Sequence, residues 1–191
     1  MPDVILFHHA QGLTAGIRAF ADNIRSAGHT VVVPDLYDGA TFSTVEEGVA
    51  HAEQLGFDDI IAAGVAAAET LDQRLVYGGF SLGALPAQKL AQTRVGAIGA
   101  LIYHGDVPVT TFGETWRTGV DLQVHVNEHD DWCELDIVGE LVEDASKHAD
   151  AELFIYPGST HLFTDSSLAD YEPDSAALVL ERTLDFLRTH D

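Results

Sequence analysis

Along the chain, apolar runs of strand length alternate with segments whose apolar positions recur at helical spacing. Val4 to His8 (VILFH) is a largely apolar run of the kind that forms a strand covered on both faces. Thr14 then caps a helix with Ile17, Phe20, Ile24 and Ala27 on one side, ended by Gly28. Thr30 to Val33 is a second buried strand stopped by Pro34, so the first third of the chain reads as a βαβ unit with a parallel sheet.

After the Pro34 to Gly39 loop, Ser43-x-x-Glu46 reads as a capping box before a helix with Val45, Val49 and Ala52 inward. Asp58 or Asp59 opens another helix that runs through Val65 and Leu71. Leu75-Val76-Tyr77 is a third strand, and a helical pattern carrying Leu82, Leu85 and Leu90 begins directly after Ser81. Ala97 to Tyr103 is the fourth strand and Asp121 to Val126 the fifth, followed by a helix with Leu135, Val138, Leu141 and Ala145 inward. Leu153 to Tyr156 is the last strand, and Pro173 opens a final helix with Ala177, Leu180, Leu184 and Leu187 on its buried face. The alternation predicts one three-layer α/β domain over residues 1–191, with an all-parallel sheet of about six strands and its site at their carboxyl ends.

Chemistry enters at the third strand. Gly79-Phe80-Ser81-Leu82-Gly83 has the Gly-x-Ser-x-Gly form of a nucleophile elbow, in which a sharp turn lifts a serine clear of the sheet. Such a turn pushes the serine toward positive φ and leaves room only for glycine two residues either side. A helix starting at once aims its unbonded N–H groups at any oxyanion beside Ser81, with Leu82 N–H as the first donor. Gly78 and Gly83 share the spacing of a phosphate loop, but Ala84-Leu85 stands where Lys-Ser/Thr is required, which argues against nucleotide binding. Pro86, close behind the elbow, is expected to kink or delay the helix.

A serine nucleophile needs a base and an acid to orient it, and in this chain order the acid comes before the histidine. Glu128, Asp130 and Asp131 follow the fifth strand and His161 follows the sixth, so all leave the same edge of the sheet. Asp130 is the chosen acid, with Asp131 and Glu128 as alternatives. A second oxyanion donor is expected after the first strand, at Ala10 N–H, with His9 and Gln11 as neighbours. His9, Tyr37, Phe112, Trp116 and Trp132 are candidates for the substrate pocket. Phe112 and Trp116 lie in a long connection, His104 to Gly119, and either cover an apolar pocket or only pin that loop to the body.

Metal and other partners are expected to be absent. His125-Val126-Asn127-Glu128-His129 spells an H-x-x-E-H zinc-hydrolase pattern, but that chemistry needs a helix and this segment reads as a strand. His8 and His9, adjacent on a strand, point to opposite faces and so do not share one ion. A formal charge of −22 repels nucleic acid and anionic membranes, no apolar run spans a bilayer, and the acidic N-terminal stretch MPDVILFHHAQG does not read as a signal peptide. A soluble, cytoplasmic monomer or homodimer without a cofactor is the expectation, and the single cysteine, Cys133, excludes an internal disulfide and reads as a small half-buried side chain. Only two of nine basic residues are lysines, a bias that fits either a salt-rich cytoplasm or a GC-rich genome.

Taken together, the first strand with its Gly12-Leu13 loop, Pro34-Asp35-Leu36-Tyr37, the elbow, the Asp130 loop and the Gly158 to His161 turn resemble the dienelactone hydrolase family of α/β-hydrolases. The resemblance implies a Ser81, Asp130 and His161 triad, with oxyanion N–H groups at Leu82 and Ala10, in a serine esterase or lactonase. Dienelactone hydrolase has a cysteine where this chain has Ser81, a glutamate where it has His9, and arginines for the substrate carboxylate that find no counterpart here. Asp165 stands where a basic residue is expected, and no Lys or Arg occurs between Arg25 and Arg74. A small neutral ester or lactone is therefore expected as substrate. The contrasting reading is a non-catalytic domain of the same fold that only binds a small molecule.

Overall fold

A computed structural model describes residues 3–105 and 107–190. Met1 and Pro2 of the N-terminal stretch discussed above, Asp106 in the long connection, and Asp191 lie outside the described residues. The strands are β1 (Asp3–Phe7), β2 (Thr30–Val32), β3 (Leu75–Phe80), β4 (Ala97–Tyr103), β5 (Asp121–Asn127) and β6 (Ala151–Tyr156). They form one parallel sheet in the order β2-β1-β3-β4-β5-β6. The strand order reverses between β1 and β3, so the loops leaving these neighbours diverge and open a crevice at their carboxyl ends.

The helices are α1 (Ala15–Ser26), α2 (Val45–Leu55), α3 (Phe57–Glu69), α4 (Ala84–Thr93), α5 (Leu135–Ala145) and α6 (Pro173–Thr189). Alternate residues of each central strand face opposite layers. Val4, Leu6, Val76, Phe80, Leu101 and Tyr103 pack with Ile17, Phe20 and Ile24 of α1 and Val179, Phe186 and Leu187 of α6. On the other face Ile5, Phe7, Tyr77, Ile102 and Val124 pack with Ala68 of α3, Ala87 and Leu90 of α4, and Val138 and Leu141 of α5. This is the three-layer α/β arrangement that the alternation of patterns predicts, with burial on both faces explaining the unbroken apolar runs of the inner strands.

Boundaries differ from the sequence reading where local hydrogen bonding prevails. The α2 cap is Thr44 rather than Ser43: its hydroxyl accepts from Glu47 N–H at 3.2 Å, while Ser43 N–H donates to Glu47 Oε2 at 3.1 Å, so the box is shifted by one residue. Helix α3 begins at Phe57, because Gly56, at φ +93°, both ends α2 and turns the chain into α3; Asp58 and Asp59 fall within its first turn. Pro86 sits in the first turn of α4, where its missing N–H has no partner to lose, and a single 3₁₀ turn (Ser81–Gly83) precedes it.

One device was not legible beforehand. Phe80, Tyr103 and His125 stack across β3, β4 and β5, at ring separations of 4.4 and 5.4 Å, and His125 continues onto Phe154 of β6 at 5.4 Å. This ladder stiffens the sheet beneath the elbow. No helix among the described residues is long and apolar enough to cross a membrane.

Candidate active site

The elbow is built from close backbone contact. Ser81 has φ +48°, and a Cβ added to Gly79 would lie 2.1 Å from the Gly83 carbonyl oxygen. One on Gly83 would lie 2.4 Å from the carbonyl oxygen of Phe7, at the end of β1. Side chains at either position would force strand and helix apart, which is the steric reason for the Gly-x-Ser-x-Gly spacing. Gly48 of α2 performs a similar service for the loop after β1, since a Cβ there would meet the Ala10 carbonyl oxygen at 2.1 Å. Ala10 is thereby wedged next to the elbow, and Ala10, Ser81 and Leu82 border one cavity.

Three side chains, from loops separated by up to 80 residues, form a hydrogen-bonded series. Ser81 Oγ lies 2.7 Å from His161 Nε2, and His161 Nδ1 lies 2.7 Å from Asp130 Oδ2. Asp130 Oδ1 accepts from Trp132 N–H at 2.9 Å, a turn that fixes the carboxylate. With Asp130 on Nδ1, the imidazole keeps its Nδ1 proton and presents Nε2 to the serine as an acceptor. Of the three acids after β5, only Asp130 is buried and bonded to His161; Glu128 and Asp131 are exposed.

The His161 turn is itself braced. Asn127 Nδ2 donates to Thr160 O at 2.8 Å, the Thr160 hydroxyl donates to Glu172, and His129 N–H donates to Gly158 O at 3.0 Å. These bonds tie the end of β6 to the end of β5 and to the start of α6.

Two connected spaces flank the series. One, of about 210 Å³, lies over Ser81 and is walled by Ala10, Val49, Leu82, Leu85 and Val107. The other, of about 370 Å³, lies beyond His161 and is lined by polar groups including Gln11, Thr44, Asp131 and Thr160. Val45, His161 and Trp132 border both. Trp132, 44% exposed, stands 6.1 Å from the His161 ring between centroids and forms the divide.

The other pocket candidates lie elsewhere. Trp116 is buried in the core with Nε1–H bonded to Val120 O at 2.6 Å, and Phe112 lies against Lys89 on the outer surface of α4. Gln88 and Gln92 of α4 bond the backbone at Val107, Pro108 and Val109, so the long connection is fastened to the body; Trp116 pins it, and Phe112 borders a separate groove with Ile61 and Val65 of α3 rather than the cavity over Ser81. Tyr37 is buried among Ala10, Ala52, Ile60 and Leu82, behind the cavity wall, and burial pushes its hydroxyl up to about 12. His9 is buried too, with Nε2 bonded to Asp165 Oδ2 at 2.8 Å instead of facing the cavity. His9 and Asp165, two positions at which the sequence differs from the pattern it resembles, thus touch each other.

Neither histidine pattern gathers ligands for a metal. His125 faces the sheet interior, with Tyr156 Oη and Gln123 Oε1 each at 2.8 Å, while Glu128 and His129 are exposed in the turn beyond β5. His8 accepts from Leu36 N–H on Nε2 and donates from Nδ1 to His9 O, which uses both nitrogens. Cys133 is buried against Val126 and Val138 rather than half-exposed.

His104 is the site residue that sequence reasoning missed. It borders the cavity beside Ser81, holds φ +56°, and its Nε2 lies 2.8 Å from Thr164 Oγ1. Burial, reinforced by His161, His9 and His125 nearby, holds it well below the ordinary imidazole range, so it stays neutral. Its place immediately after the central β4 run was the available signal, because residues leaving an inner strand at the carboxyl edge line the crevice.

Comparison with known proteins agrees with the fold. The family model described as "Dienelactone hydrolase family" matches residues 1–191. No curated protein matches the chain. Among solved structures, a dienelactone hydrolase-like promiscuous phosphotriesterase from metagenomic libraries superposes with a TM-score of 0.79 at 16% identity, over 99% of this chain and 86% of that one. A thermophilic esterase from Thermogutta terrifontis, with propionate bound, superposes with a TM-score of 0.74 at 15% identity, over 98% and 83% of the two chains.

Proposed function

The chain belongs to the dienelactone hydrolase family, and from that premise we propose that it is a serine hydrolase of small neutral carboxylic esters or lactones. The observation that carries this reading is the unbroken series from Ser81 Oγ through His161 to Asp130, with both links at 2.7 Å. His161 Nε2 removes the hydroxyl proton as Ser81 Oγ attacks the ester carbonyl, and Asp130 stabilises the imidazolium that results. The tetrahedral oxyanion is received by the N–H groups of Leu82 and Ala10. Collapse expels the alcohol, which takes its proton from His161 and leaves an acyl group on Ser81. Water, deprotonated by the same imidazole, then attacks that acyl group; the second collapse returns the serine hydroxyl and releases the acid.

The dimensions of the cavity narrow the substrate. An apolar space of about 210 Å³ over Ser81 suits a short acyl chain, and the polar space beyond His161 suits a leaving alcohol. Neither space is bordered by Lys or Arg among the described residues, so no cation is available to hold a substrate carboxylate. Neutral esters and lactones are favoured on that account.

Labelling with a fluorophosphonate tests the reading. The Thermogutta esterase has been described in forms phosphonylated by cyclosarin and by sarin, which makes the reagent class apt. Modification of the native protein at Ser81, absent in Ser81→Ala, together with hydrolysis of acetate or propionate esters, is the expected result. A native protein that is neither labelled nor active on a panel of esters and lactones would instead be a binder with the same fold.

A further inference from the structure

A second buried His–Asp pair lies behind the first. His9 and Asp165 are each 1% exposed and 156 residues apart in sequence, yet His9 Nε2 and Asp165 Oδ2 are 2.8 Å apart. The tautomer follows from the other nitrogen: Gln11 N–H donates to His9 Nδ1 at 3.2 Å, so Nδ1 carries no proton and Nε2–H donates to the carboxylate. The ring therefore bridges the two residues that flank Ala10. Gly12 N–H also returns to His9 O at 3.0 Å, which closes the loop on itself.

Asp165 is the anchor of this bridge. Its Oδ2 also accepts from Thr14 Oγ at 2.5 Å, and its Oδ1 accepts from Ser167 N–H at 2.8 Å and Ser167 Oγ at 2.6 Å. A Cβ on Gly16 would overlap Oδ1, so the carboxylate is seated directly on the first turn of α1. Burial alone would raise its pKa, but the bonds from His9, Ser167 and Thr14 prevail and hold it down at about 2. Asp165 and His161 stand on the same segment, with Asp165 N–H bonded to Leu162 O at 3.0 Å. One carboxylate thus joins the loop that carries Ala10 to the segment that carries His161.

We propose that His9 and Asp165 are positioning residues: the pair sets the Ala10 N–H as the second oxyanion donor and keeps it in register with the His161 segment. This rests on the serine-hydrolase reading of Ser81. The pair takes no proton from the substrate and touches no reacting atom; it acts through the backbone at Ala10. An oxyanion donor is effective only when held before charge develops, and in the loop between β1 and α1 the bridge from Gly12 to Thr41 leaves Ala10 itself to such a brace.

The test uses the whole protein and p-nitrophenyl acetate, with active sites counted by fluorophosphonate titration. In His9→Ala and Asp165→Asn, kcat per titrated site is expected to fall about 10²-fold, the range for losing one oxyanion donor. KM should stay within about threefold and the acid limb of the pH–rate profile should not move, because His161 and Asp130 remain intact. Ser167→Ala, which removes one donor to Asp165 and leaves the pair and the Thr14 cap of α1 in place, provides a milder variant should the others fold poorly; its expected loss in kcat per site is several-fold. Wild-type kcat per titrated site in these variants, whatever their melting temperatures, would overturn the proposal and leave the pair a structural tie. A moved acid limb with an unaltered plateau would overturn it also, since the pair would then act on His161.

Nitrogen-15 spectroscopy supplies a measure independent of turnover. The expected spectrum has His9 protonated on Nε2 and an Ala10 amide resonance that shifts in Asp165→Asn. A His9 proton on Nδ1, or an Ala10 amide unaffected by the substitution, would overturn the positioning role. An unlabelled and inactive wild type would overturn the enzyme reading itself, which these spectra separate from the brace.

Discussion

His161–Asp130 and His9–Asp165 are the same two side chains at nearly the same distance, 2.7 Å through Nδ1 in the first and 2.8 Å through Nε2 in the second, and all four groups are buried. What distinguishes them is the second ring nitrogen. His161 turns Nε2 to a serine hydroxyl at the cavity wall, whereas His9 spends Nδ1 on the backbone N–H of Gln11. The carboxylates differ in the same sense: among the described residues, Asp130 accepts one backbone N–H besides its histidine, while Asp165 accepts three further donors. A His–Asp pair is a proton relay only when one nitrogen faces a reacting group; with every site satisfied by the protein it becomes a brace.

The largest effect that would sharpen this contrast is at Asp130. Asp130→Asn is expected to lower kcat for a short ester by about 10⁴-fold with little change in KM, as the imidazole loses its orienting acceptor. On the same assay Asp165→Asn should lose roughly 10²-fold less activity than Asp130→Asn. Equal losses at the two aspartates would break the distinction between relay and brace.

Stability against pH provides the next test. Asp165, near 2 in the fold and near 3.8 when unfolded, contributes stability that is present above about pH 4 and lost as pH falls toward 2. Asp165→Asn should therefore cost on the order of 2 kcal/mol at pH 7 in urea unfolding, with the gap from wild type closing only below about pH 4. Both proteins should weaken together between about pH 6.5 and 4. Burial holds His8 down to about 4 and His125 to about 3, so the unfolded chain takes up protons there that the native fold resists. A gap that closes already near pH 6 would refute this assignment.

The smallest effect is expected at the exposed acid of the same loop. Glu128→Gln, with a side chain 57% exposed in the native fold, should leave kcat within about twofold of wild type, since a solvated carboxylate contributes little. A large loss would mean that the acid partner had been misplaced.

Much of the site was legible because its signals are local. Gly79, Ser81 and Gly83 encode a turn through steric limits that act within five residues, and the apolar runs on either side declare strand and helix. Asp130 and His161 followed from strand ends and chain order. The pocket was less legible: an aromatic residue in a loop carries no mark of the direction it faces. Trp116 turned inward to bond Val120, Tyr37 backed the wall, and Trp132 alone of the aromatic candidates borders the cavity. His104, which borders it beside Ser81, went unnoticed as the first residue of the long connection after β4.

Sequence alone therefore determined the alternation of strands and helices, the elbow, and the edge of the sheet at which chemistry gathers, because sterics and periodicity operate between near neighbours. Tertiary structure decided which of three acids reaches His161 and that Asp165 closes on His9 across 156 residues. Those contacts depend on where loops from distant strands meet, and the order of strands in the sheet, with its reversal between β1 and β3, is what brings them together.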